Sequence, residues 1–293
     1  MNKQNGFTLI ELMISSLVAL ILMGGIMNLF ITTNRSATLS DALSQNQETG
    51  RFAMEYLTKF IRRAGYVDSV GVTIPAVFDD FEGGGPIITC EATDDEEDTA
   101  MTKACSSNDS DITKILGDRL GISYAVSNDS TRSCTGALLP ATTSYYVDVF
   151  WVVGDETSDK YRDLVCSTYD VSAVETLQPE AVSIINHVER FEFQVGLASD
   201  IIEQNSARYV NLTTAKATPD YVLLLRSIRI AILTTSQDIE ATSKNKLQSK
   251  KQRRTYSLLD AKSFDKDDGA LRNIFMNTIE LTNLIESSTE NSN

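Results

Sequence analysis

Residues 2–30 read NKQNGFTLIELMISSLVALILMGGIMNLF. From Phe7 to Phe30 the run is apolar, broken by Thr8, Glu11, Ser15, Ser16 and Asn28. At about 1.5 Å per residue, a helix of this length crosses a hydrocarbon layer about 30 Å thick. Lys3 before it and Arg35 after it mildly favour a cytoplasmic start. A secretory signal has a shorter apolar core and ends at a small-residue cleavage site, whereas here helical character continues past the run. Glu11 is the anomaly. An ionised carboxylate in the apolar layer costs about 2.5–3.5 kcal/mol on insertion scales. Cleavage between Gly6 and Phe7 would place a new ammonium within about one helical turn of Glu11, on the same chain or an adjacent one. Spacing alone balances that pairing against a Glu11 solvated at the headgroup boundary.

Working outward, RFAMEYLTKFIRRAGY (51–66) sets Phe52, Ala53, Tyr56, Leu57, Phe60, Ile61 and Ala64 on one helical face. Arg62 and Arg63 suit a last turn, and Gly65 suits a C-cap. The spacing predicts one helix over about 7–64, with Gly24-Gly25 and Gly50 as its weak points. Residues 66–115, with FEGGGP and ATDDEEDTA, read as a loop-rich insert. Strand-like runs follow at LGISYAV, SYYVDVFWVV, KYRDLVCS, VERFEFQVGL, DYVLLLRSIRIAILTT, RTYSLLDA and LRNIFMNTIEL, and DDG before Ala270 suggests a hairpin turn. One long helix followed by many strands gives an α+β fold, with an antiparallel sheet laid on the helix.

The chain has 293 residues, enough for one sizeable core or two modest domains. Its net charge of −14, from 26 basic and 40 acidic residues, argues against nucleic acid as a partner. The single histidine, His187, has no HExxH spacing or second histidine and reads as structural, just before a strand. No glycine-rich phosphate loop or nucleophile elbow is present, so the expectation is a non-enzyme with no cofactor. Acidic stretches at 94–98, 107–111 and 265–268 tempt a calcium assignment. The EF-hand pattern fails, because Gly269 as sixth position puts Phe264 where a carboxylate is required. Solvated turns are the expectation and no metal ligand is assigned, although a calcium site of another kind stays open.

GFTLIELMISSLVAL resembles the amino-terminal signal of type IV prepilins and type II secretion pseudopilins, a short polar leader ending in Gly followed by Phe-Thr-Leu-Ile-Glu and an apolar helix. The resemblance implies cleavage by a prepilin peptidase after Gly6 and N-methylation of Phe7. It also implies that Glu11 aligns an incoming subunit with its neighbour's amino terminus. FAMEYLTKFIRRAGY, VERFEFQVGL, RSIRIAILTTS and LRNIFMNTIELTN fall in an order similar to that of PilW-like minor pilins, although LTN carries Thr282 where those chains often have Arg.

Four cysteines, Cys90, Cys105, Cys134 and Cys166, form no CxxC. Outside the cytoplasm they favour disulfides, with three connectivities open. Sequential pairing, Cys90–Cys105 and Cys134–Cys166, closes the shortest loops, and the SCTG and LVCS contexts resemble a pair in PilW-like chains. The expected division is a leader at 1–6, a transmembrane half-helix at 7–30, its amphipathic continuation at 31–65 and a β-rich domain at 66–293. The resemblance implies a minor pilin of type IV pilus assembly, held single-pass in the bacterial inner membrane with its carboxyl-terminal domain in the periplasm, then built into a surface pilus. It would join other minor pilins in a complex that primes assembly, near the tip. Its implied partners are those minor pilins, the major pilin, the prepilin peptidase, inner-membrane lipid and a tip adhesin. Two alternatives stand beside it: a J-like minor pseudopilin of type II secretion, and a bitopic membrane protein whose ectodomain binds a ligand or calcium.

Overall fold

The computed structural model describes residues 8–67, 106–107, 117–126, 131–140, 144–154, 162–170, 175–176, 181–236, 253–266 and 270–284. Most of the 66–115 insert, its acidic stretches and the DDG turn lie outside these residues. The chain divides into two compact units, Met1–Gln45 and Asn46–Asn293. Helix α1, Leu9–Ile61, contributes to both.

In the first unit the apolar side chains face outward: Leu9, Ile21 and Leu29 are 78%, 68% and 71% exposed. This is the one described helix long and apolar enough to cross a membrane. Ser15, Thr32, Thr33 and Thr38 each donate a hydroxyl to the carbonyl four residues earlier, so none leaves a bare hydroxyl on that surface.

In the second unit the helix buries Asn46, Gly50, Ala53, Leu57 and Phe60, a stripe at alternating intervals of four and three, with Ile61 beside its end. Phe52, expected on that face, is instead 54% exposed. Gly50 is not a weak point. A Cβ there would lie 2.1 Å from the Phe275 ring, so the glycine lets the helix and a strand approach closely. Gly65, at φ +73°, ends the helical turns as expected.

The strands are β1 (Leu120–Val126), β2 (Ser144–Val153), β3 (Asp163–Asp170), β4 (Glu175–Thr176), β5 (Val182–Asn186), β6 (Val188–Leu197), β7 (Arg208–Val210), β8 (Leu225–Thr235), β9 (Arg254–Tyr256), β10 (Phe264–Lys266) and β11 (Arg272–Glu280). Two short helices, α2 (Leu212–Lys216) and α3 (Tyr221–Leu224), lie between β7 and β8. Among the described residues the expected sheet is divided into three. One runs β1-β2-β3-β4 with β5 also on β3, one runs β11-β8-β6-β7, and β9 and β10 form a pair. The strands flanking DDG therefore do not pair with each other: β10 joins β9 and β11 joins β8.

All the described strand ladders are antiparallel. Strand β8 is buried on both faces, which explains its nearly unbroken apolar run. Its Ile228, Ile230 and Ile232 share one core with Leu57 and Ile61 of α1, Phe191 and Phe193 of β6, and Ile122, Phe150 and Leu164 from the five-stranded sheet. On its opposite face Ala231 and Leu233 pack under Tyr256 and Leu258. β11 runs in the same direction as the helix: Asn46 bonds Leu271 O at one end, Asn277 bonds Thr58 midway, and Asn283 bonds Arg62 O and Ala64 O at the other.

Candidate functional site

Glu11 lies in the first turn of α1. Its Oε2 accepts from Thr8 N at 3.1 Å and from Thr8 Oγ1 at 3.0 Å, and Thr8 Oγ1 accepts from Glu11 N at 3.4 Å. This is a reciprocal box that closes the helix start with groups from the same turn. Among the described residues the carboxylate makes no ion pair, and the side chains around it are exposed. An acid presented on an apolar, outward-facing helix can take a cation supplied by another molecule or by the chain's own amino terminus. Gly6 and Phe7 lie outside the described residues.

In the second unit Cys134 and Cys166 form a disulfide, with Cα atoms 6.3 Å apart. It pins the 131–139 loop to β3. The expected Cys90–Cys105 bond lies outside the described residues. The loop is fixed from two further sides. Tyr56 of α1 donates its hydroxyl to Cys134 O, and Arg63 Nη1 donates to Arg132 O at 2.7 Å. Under it lies Asp148 of β2, fully buried. Asp148 Oδ1 accepts from Thr168 Oγ1 at 2.7 Å and Cys134 N at 3.3 Å, and Arg63 Nη1 stands 3.8 Å from Oδ2. Burial outweighs these favourable contacts and pushes the Asp148 carboxyl up to about 6. The same burial, with Asp148 nearby, pushes Tyr56 up to about 12. Helix, loop and sheet therefore meet on one desolvated acid.

The Val-Glu-x-Phe-x-Phe segment carries a second buried acid. Glu189 takes a bidentate pair from Arg272, at 2.7 Å from Nε and 2.8 Å from Nη2, and Arg162 Nη1 stands 3.7 Å away. One carboxylate thus joins β6, β11 and the residue before β3. Glu192 lies beside Asp118 and is ion-paired to Arg190. Burial and then the Asp118 charge push it up to about 8, with Arg190 opposing. His187 is the single residue between β5 and β6, at φ +64°, and its carbonyl accepts from Thr235 N at 2.9 Å. It occupies the turn between the two strands. No group of three or more His, Cys, Asp or Glu side chains converges to hold a metal among the described residues.

Two of these features escape sequence reading: Asp148 and Arg272 look like ordinary alternating strand residues, and no local signal marks them. Elsewhere Asn211 does carry a signal, one not used in the expectations above: its Oδ1 accepts from Thr214 N at 2.8 Å and caps α2.

Residues 1–27 match the model of the prokaryotic N-terminal methylation motif. Residues 149–283 match the model of type IV pilus-assembly protein W, PilW. Over these two stretches the chain is similar to type IV pilus-assembly protein W and to proteins that carry the methylation motif. No curated protein matches it. A solved type IV-like pilin from Thermus thermophilus is 14% identical, with 57% of this chain and 79% of that one covered, at a TM-score of 0.33. The PilW match runs from within β2 to Asn283, the residue that caps the end of α1. It includes Glu189, Arg272 and Cys166, and leaves out Cys134 and Asp148. The PilW-like segment thus holds the ion-pair centre, while the disulfide reaches back from it to the preceding loop.

Proposed function

We propose that this PilW-like chain is a minor pilin, made as a prepilin, cleaved between Gly6 and Phe7, methylated on Phe7 and built into a type IV pilus. In this reading the leader is residues 1–6, residues 7–30 sit in the inner membrane, and the domain beyond residue 65 lies in the periplasm before assembly. The chain joins other minor pilins in a complex that primes the fibre near its tip, and its large domain meets them, the major pilin or an adhesin.

The observation that carries this reading is Glu11. It lies within the stretch that matches the N-terminal methylation motif, on an outward-facing apolar helix, with Thr8 as its sole hydrogen-bond donor among the described residues. In hydrocarbon that acid costs about 2.5–3.5 kcal/mol, and a methylated terminal ammonium remains cationic and can offset it. The pseudopilin alternative shares this chemistry, but the match over 149–283 favours the pilus.

The test is Glu11→Ala in the full chain. Membrane insertion is expected to be unchanged or improved, while the subunit disappears from sheared pili. Wild-type amounts of the variant in sheared pili would refute the role given to Glu11.

A further inference from the structure

Strand edges expose unpaired backbone groups, and folded proteins usually cover, shorten, charge or bulge them. Most edges here are so managed. The outer edge of β6 is closed by β7 and by Gly117-Asp118: Asp118 N donates to Phe191 O at 2.7 Å, and Phe193 N donates to Asp118 Oδ2 at 2.9 Å. Gly117, at φ +95°, permits that approach, since a Cβ would lie 2.2 Å from Phe191 O. The outer edge of β1 is engaged by residues 65–67 and 106–107. β5 spans five residues beside a register shift, and β9 and β10 span three each.

β11 differs. It spans nine residues without proline, lysine or a register shift, and among the described residues it pairs with β8 alone. Ser236 N donates to Leu271 O and Leu281 N to Arg226 O, so the odd-numbered residues between carry the ladder to β8. In an antiparallel pair the alternate residues then aim their N–H and C=O outward. After Arg272, these are Ile274, Met276, Thr278 and Glu280. Of the outward N–H groups at 274, 276, 278 and 280, that of Thr278 alone meets an acceptor among the described residues, the Asn277 side chain at 2.9 Å. Ile274 and Met276 are 39% and 64% exposed. They stand opposite Leu233 and Ala231, at the margin of the small cluster under Tyr256 and Leu258.

We propose that the β11 edge is a strand-addition site that receives an extended segment of a neighbouring pilus subunit. The outward backbone row supplies the ladder. Apolar residues at alternate positions of the incoming strand extend the Ala231–Leu233–Tyr256–Leu258 cluster, and the exposed Glu280 favours a basic residue at that end. A second copy of this chain does not fit. Two-fold antiparallel pairing of β11 with itself would set the flanking α1 segments running in opposite directions, because β11 and residues 46–61 run the same way. Helices threaded alike into one fibre cannot do that. This inference rests on the pilin reading for the identity of the donor.

The experiment places a photoreactive benzoylphenylalanine at Ile274 of the full-length chain, in cells that assemble pili, and maps the adduct by mass spectrometry. The expected adduct joins Ile274 to one extended segment of another pilin subunit. Adding Met276→Pro, which removes an outward N–H and leaves the β8 ladder intact, is expected to cut the adduct roughly tenfold, as loss of about 1.4 kcal/mol implies. Met276→Lys, which keeps the backbone, is read in parallel, so that a misfolded proline variant does not decide the case. An adduct to a second copy, an adduct insensitive to Met276→Lys, or no adduct in a chain present in sheared pili would overturn the edge site and leave the pilin reading standing. Absence of the unsubstituted chain from sheared pili would overturn both.

Discussion

Asp148→Asn removes the charge of a fully buried acid while keeping its shape and the Oδ1 acceptor for Thr168 and Cys134. The wild-type carboxyl titrates near an ordinary 3.8 when unfolded and at about 6 in the fold. A carboxyl raised in this way binds its proton more tightly in the native state, so folding takes up protons between those two values and stability falls as pH rises through them. At 1.36 kcal/mol per pH unit the difference is worth about 3 kcal/mol, fully felt above about pH 6 and absent below about pH 4. The Arg63 pair is already contained in that figure. Glu192, raised to about 8, adds a pH dependence of its own, so the quantity to measure is the difference between wild type and variant. Urea unfolding of the full chain in detergent, from pH 4 to pH 7.5, should show the variant gaining on wild type by about 3 kcal/mol across this range. A flat difference curve, or a variant that loses ground as pH rises, would refute the picture of Asp148 as a desolvated acid that costs stability at neutral pH.

Cys134→Ser with Cys166→Ser opens a loop of sequence separation 32, and the chain-entropy model gives a loss of roughly 3–4 kcal/mol; an unchanged urea midpoint under oxidising conditions would count against it. Arg272→Met removes the bidentate partner of Glu189 and leaves Arg162 at 3.7 Å as its remaining cation. A loss of about 3 kcal/mol is expected, and Glu189→Gln in the same chain should recover part of it, read as the melting midpoint of the double variant.

The parts of the fold visible in the sequence are those set by local pattern. The runs at 144–153 and 188–197 are strands over those very residues, because alternating or continuous apolar letters with β-branched and aromatic side chains have no competing period. KYRDLVCS begins early, since β3 starts at Asp163, after the buried Arg162. DYVLLLRSIRIAILTT splits: Tyr221–Leu224 turns as a short helix, and Arg226 then donates to Ile201 O, Glu203 O, Leu223 O and Leu225 O, fixing the point at which β8 begins. Nothing local announces that arginine's role. The division into sheets was equally hidden, because pairing is decided by contacts far apart in the chain, such as Glu189 with Arg272. For the same reason Gly50 reads as a weak point of the helix until Phe275 lies against it. At the amino terminus the order is reversed, and the sequence is the richer source. The Gly-Phe-Thr-Leu-Ile-Glu pattern states the chemistry, while the structure adds the Thr8–Glu11 box and an exposed apolar surface.

Intact-mass and amino-terminal peptide analysis of the protein recovered from membranes or sheared pili bears most directly on the central claim, that Glu11 works with a newly made terminal amine. A chain lacking residues 1–6 and beginning with N-methylated Phe7 is the expected result. A chain that still carries Met1–Gly6, or one that begins beyond Glu11, would contradict it.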